Sequence, residues 1–179
     1  MPETVPRLSP LAHVALQGRF GADKGAPGVE LSVRHPMSIV MVIARSGRAS
    51  ALAEALRTLA DATVHWAGPD QYYVMGMPFA DVKQKLQPLA SCSDQSHGRI
   101  IIRIAGSKAR RLLAKGTPVD LYADEFPIGT CALTQMAHAG VHLVRTGEDA
   151  FEVSVFRGFA ESFWQWLTGQ AEEFGYQVK

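Results

Sequence analysis

The chain has 179 residues, 47% of them hydrophobic, and a formal net charge of +1. That size affords one well-filled core, and the near-neutral charge argues against electrostatic binding of nucleic acid or of an acidic membrane surface. No apolar run approaches the roughly 18 residues of a membrane span, and the two cysteines, Cys92 and Cys131, form neither a disulfide framework nor a CxxC pair.

The N-terminus has no charged segment leading into a long apolar core, so a secretory signal is not expected and a cytoplasmic location with reduced thiols is. Residues 1–28 carry Pro2, Pro6, Pro10 and Pro27 among four glycines and show no sustained period. Yet Leu11, Val14, Leu16 and Phe20 are too apolar for a solvated tail. An N-terminal arm over 1–28 that packs on a neighbour is favoured over a free tail, and removing it should leave the fold intact while weakening assembly.

Regular structure starts at residue 29. Val29, Leu31 and Val33 alternate with polar residues as in a half-buried strand, and 39–44 is a continuous apolar run, as in a buried one. A helix is predicted near 47–60, with Leu52, Leu56 and Leu59 on one side. Strands follow at 63–66 and 71–75 around the turn Gly68-Pro69-Asp70, then a helix over 79–89. The polar stretch 92–97 reads as a connector.

From Arg99 the pattern recurs. The apolar run 38–44 matches 99–105, each followed at once by a helical segment (46–59 and 107–115), and the strand–turn–strand at 63–74 matches 141–153. Two copies of strand–helix–strand–strand–helix imply one duplicated α+β domain over 29–179, with halves of about 29–97 and 98–179. The second copy is longer mainly through the loop 116–131. Its last strand carries Phe151, Val153 and Val155 in alternation. Its last helix places Phe159, Ala160, Phe163, Trp164, Leu167, Ala171 and Phe174 on one face, and Gly175 sits where it should stop. Trp166 lies off the centre of that face and reads either as a core-edge residue or as part of a partner patch.

Chemistry is sparse. His138 and His142 flank a strand turn rather than sharing a helical face, and the other histidines are isolated, so no metal site is expected. Neither a nucleophile motif nor a phosphate-binding glycine loop occurs. Asp120, Asp124 and Glu125 read as a solvated acidic loop or a salt-bridged interface loop. Lys108, Arg110, Arg111 and Lys115 read as a screened helix face or as a patch that sets the register of a partner. No catalytic, cofactor or metal residue is assigned. The candidate partner interface comprises Leu11, Val14, Phe20, Trp166, Arg110 and Arg111.

The segments RIIIRIAGSKARRLLAKG (99–116), VDL (119–121), FPIGTC (126–131) and especially RGFAESFWQWL (157–167) resemble the gamma subunit family of heterotetrameric sarcosine oxidase over about residues 30–178. The resemblance extends to the corresponding subunit of N-methylglutamate dehydrogenase. It implies a fold like the folate-binding domain of aminomethyltransferases, and alpha, beta and delta subunits as partners. It further implies a complex that oxidises sarcosine to glycine, with hydrogen peroxide and a tetrahydrofolate-captured one-carbon unit as the other products. FAD, FMN, NAD, tetrahydrofolate and zinc are then expected on the other subunits, none on this chain, which serves as a structural, non-catalytic member. The KGCYxGQE-type motif of the transferase-like relatives is missing, so independent folate binding is not implied. A stand-alone folate-binding one-carbon protein and a self-associating structural protein are the alternatives.

Overall fold

The computed structural model describes residues 8–22 and 25–179; positions 1–7 and 23–24 of the expected arm lie outside the described residues. The first elements are β1 (Gly18–Phe20), β2 (Val29–Arg34), β3 (Ile39–Ala44), α1 (Ala49–Arg57), β4 (Thr63–Gly68), β5 (Gln71–Met75), α2 (Phe79–Leu86) and β6 (Ala90–Asp94). The second half continues with β7 (Arg99–Ala105), α3 (Ala109–Leu113), β8 (Cys131–Met136), β9 (Ala139–Gly147), β10 (Ala150–Phe156), α4 (Ala160–Ala171) and β11 (Tyr176–Val178). Single 3-10 turns flank α4 on both sides. Gly175, at φ 63°, ends the helical run in a conformation that glycine adopts without a Cβ penalty.

The predicted duplication is present in the topology. In the first half, β3-α1-β4-β5-α2-β6 builds a four-stranded antiparallel sheet in the order β4-β5-β3-β6. This is the ferredoxin-like split arrangement. In the second half, β9-β10-β7 repeats β4-β5-β3. The place beside β7 is taken by β2, which comes from the start of the chain and pairs antiparallel, and β11 is displaced one position outward, parallel to β2. With β1 on one edge and β8 on the other, this sheet has seven strands, ordered β1-β11-β2-β7-β10-β9-β8.

Strand alternation dictates the layering. Ile100, Ile102 and Ile104 of β7 and Phe151, Val153 and Val155 of β10 point to one face, where they pack with Leu112 and Leu113 of α3 and Phe163, Trp164 and Leu167 of α4. Val40 and Val42 of β3 and Val74 of β5 meet Leu52, Leu56, Val82 and Leu86 of α1 and α2 in a second core. The opposite faces of the two sheets meet in a smaller cluster of Ile39, Ala67, Tyr73, Met75 and Ile101. The order of layers is therefore helices, sheet, sheet, helices.

Three sequence expectations change. The stretch read as a connector at 92–97 begins inside β6, a strand of alternating small and polar residues that β3 holds by register. Strands β8 and β11 were not anticipated; β11 has only three residues, too few for a period to show. The described part of the arm expected to pack on a neighbour packs on its own chain: Leu11 is fully buried in the larger core, and β1 pairs with β11.

Candidate functional site

The polar groups of the fold gather between the two sheets. His65 on β4 and His142 on β9 occupy corresponding strands of the two halves, and their rings stack with centroids 5.8 Å apart. Tyr73 meets His142 edge-on at 5.2 Å. The carbonyl of Trp66 can only accept, so His142 donates Nε2–H to it at 2.8 Å and is the neutral Nε2–H tautomer. Burial pushes the His142 imidazolium down to about 4, helped by the charges of His65 and Arg99, against the opposing hydrogen bond to Trp66. His65 is lowered too, by burial and then by Arg34, and its Nδ1 is buried without a hydrogen-bond partner. In the same layer Glu152 accepts a 2.6 Å ion-paired hydrogen bond from Arg34. Two buried neutral imidazoles fixed by strand geometry, with little open space around them, define a packed polar layer rather than a substrate cleft.

This layer carries a pH dependence of definite sign. Unfolded, His142 takes up a proton near its ordinary 6.5; folded, it does so only near 4. Between those values the unfolded chain binds more protons, so stability falls as pH falls. About 2 kcal/mol should be lost between pH 7 and pH 5 from this group, with His65 adding in the same direction. Urea unfolding of the chain and of His142→Asn at both pH values measures it; equal pH dependence in the two proteins would refute the assignment.

The residues singled out from the sequence are scattered. Leu11 is spent in the core and presents nothing to a partner, a correction to its assignment. Val14 packs partly on the same core, and Phe20, 42% exposed, stacks on Tyr176 at 5.2 Å. Together with Leu16, Trp164, Tyr176 and Val178 they border a shallow groove. Trp166 is half-buried at the core edge, tilted against Phe163 and lying so close to Gly116 that a Cβ there would come within 2.4 Å of its ring. The basic helix is engaged with its own aromatics: Arg110 lies over Tyr122 at 5.9 Å, and Arg111 and Lys115 lie over Phe174 at 5.4 and 4.8 Å. Lys115 also pairs with Glu173 at 2.7 Å.

The long loop is tied down from within. Leu121 and Phe126 are buried in the core, and Arg145 donates to the carbonyls of Phe126, Gly147 and Glu148. Asp120 accepts from its own loop at Tyr122, and none of Asp120, Asp124 and Glu125 makes an ion pair within 4.0 Å among the described residues. Cys92 and Cys131 are unpaired thiols, each raised by burial. Among the described residues no group of three or more His, Cys, Asp or Glu is arranged to hold a metal, and no helix is long and apolar enough to cross a membrane.

Arg99 was not singled out from the sequence. It heads β7, is only 8% exposed, and its guanidinium lies 4.0 Å from the Phe156 ring centroid and 4.9 Å from that of Tyr73. The available signal was Phe156 itself, an apolar residue on the polar side of its strand's alternation after Glu152 and Ser154.

The architecture defines the class first. It is the duplicated α+β fold of the aminomethyltransferase folate-binding domain. The chain is similar to the glycine cleavage system aminomethyltransferase T from Bartonella henselae with a TM-score of 0.60 at 14% identity, over 82% of this chain and 47% of that one. The family follows. The family model for the sarcosine oxidase gamma subunit matches residues 41–173, and the chain belongs to that family. It is similar to the sarcosine oxidase subunit gamma of Corynebacterium sp. (strain P-1), 26% identical over 94% of this chain and 91% of that protein. It is also similar to a chain of the heterotetrameric sarcosine oxidase from Corynebacterium sp. U-96. That match has a TM-score of 0.81 at 26% identity and covers 94% of this chain and 96% of that one.

Proposed function

We propose that this chain is a structural, non-catalytic subunit that assembles with alpha, beta and delta subunits into a heterotetrameric sarcosine oxidase acting in the cytoplasm. The complex oxidises the secondary amine of sarcosine to release glycine. Electrons pass through flavin to oxygen, giving peroxide, and tetrahydrofolate captures the one-carbon unit. FAD, FMN, NAD, tetrahydrofolate and zinc are held by the other subunits. The observation that carries this reading is the match, nearly end to end on both sides, with one chain of a heterotetrameric sarcosine oxidase. The packed inter-sheet layer fits a scaffold role, because its histidines are spent on each other and on backbone. Of the residues picked from the sequence, Val14, Phe20, Trp166, Arg110 and Arg111 retain exposed or half-exposed surface and are offered as partner contacts.

Co-purification tests the proposal. The tagged chain, co-expressed with the other three subunits, is expected to bring down flavin-bearing partners whose complex produces peroxide from sarcosine. The tagged chain running alone, while the other three assemble and turn over sarcosine without it, would overturn the reading.

A further inference from the structure

Among the described residues no anion answers the charge of Arg99. The residue is only 8% exposed, and its Nε is buried without a hydrogen-bond partner. Among the described residues no carboxylate lies within 4.0 Å of it. The nearest buried acid on the same face, Glu152, is already bound by Arg34. What Arg99 has instead is two aromatic rings, Phe156 and Tyr73, whose faces lie against the guanidinium. A desolvated cation without an anion is costly in a folded chain unless something else compensates it.

The surroundings indicate where compensation comes from. Arg99 borders a depression of about 370 Å³ at one end of the seven-stranded sheet, with Phe156, Leu133, Gln135 and Gly140 around it. Phe156 and Leu133 are 47% and 49% exposed, large apolar surfaces beside a buried charge. Gly140 and Gln135 are paired across β9 and β8 and so share one sheet face, and a Cβ built on Gly140 meets nothing within 4 Å. A buried arginine held by aromatics at the centre, with an apolar rim, is the composition of an interface hot spot.

We infer that this depression receives an aspartate or glutamate side chain of another subunit of the oxidase, its carboxylate accepting hydrogen bonds from Arg99 while Phe156 and Leu133 exclude water around the pair. The inference rests on the assembly proposed above. The occupant is acidic because a cation without an anion faces the depression, and belongs to a protein because the apolar rim needs covering as well.

Two variants test it in the full complex. Arg99→Met removes the charge but keeps apolar volume against both rings. The isolated chain should melt at the same temperature or higher, since a buried unpaired charge is gone. The apparent dissociation constant of the assembled complex, read from subunit retention on serial dilution, should rise about 30-fold or more. Gly140→Val adds a strand-compatible side chain where the fold leaves room, so it should leave melting unchanged and weaken assembly by filling the depression. If Arg99→Met lowers the melting temperature of the isolated chain, Gly140→Val decides alone. Wild-type assembly with both variants retained as tightly as wild type would overturn this inference and leave the proposed function standing. A wild-type chain that does not assemble at all would remove both. Saturable binding of acetate to the isolated chain, abolished by Arg99→Met with assembly untouched, would show a site for a free carboxylate and overturn the protein occupant.

Discussion

Trp164→Ala is expected to destabilise the chain by about 3–5 kcal/mol. Trp164 is 3% exposed and sits on the inward face of α4, within the core that also holds Phe163, Leu167 and the apolar faces of β7 and β10. An indole is too large for its neighbours to close over, because α4 is held against a sheet whose strands are fixed in register. Its removal therefore costs both transfer free energy and a cavity. Gln165→Ala, one residue on and exposed, should change stability by less than about 0.5 kcal/mol. Chemical denaturation of both variants measures the difference. A loss under about 1 kcal/mol for Trp164→Ala would refute its burial.

Deleting residues 1–28 is expected to lower stability by roughly 3 kcal/mol or more, rather than to act on assembly alone. From sequence alone this segment is an arm for a neighbour, because no local period gives its apolar residues a partner. The structure supplies one. Leu11 is completely buried in the larger core, and β1 adds a strand beyond β11 with Phe20 stacked on Tyr176. Removing the segment opens the core at Leu11 and bares one edge of β11. Urea unfolding of the truncated chain, beside Leu11→Ala in the full chain, checks the point. The single substitution should account for about 2–5 kcal/mol. An unchanged unfolding midpoint with lost assembly would return the segment to a partner-binding role.

Legibility from the sequence followed the range of the interactions. Val29–Arg34, Ile39–Ala44 and Gln71–Met75 fold over the spans their alternation and apolar runs predict, because the two faces of a strand are written residue by residue. The helix with Phe163, Trp164 and Leu167 inward follows for the same reason at the helical period. β6 failed this test. Ala90, Ser91, Cys92, Ser93 and Asp94 lack the bulk of an ordinary strand, and the segment is extended because β3 offers it a ladder. The candidate site was less legible still. His65 looks isolated and His142 has only His138 near it in sequence, because the Trp66 carbonyl that His142 binds, next to His65, lies 76 residues away along the chain. Arg99 looks like one more basic residue at a strand end until Phe156 and Tyr73 are placed on it.

By itself the sequence determined the helices and the strands other than β1, β6, β8 and β11, their inward faces, the doubling of the unit, and the family, since each depends on residue types at short, fixed spacings. Only the tertiary structure decided that β2 lies between β7 and β11, that Leu11 completes the core, that the two histidines stack, and that Arg99 lies against Phe156 and Tyr73 with no carboxylate partner among the described residues. Each of these depends on which distant segments the packing of two sheets brings together, and no local period records that.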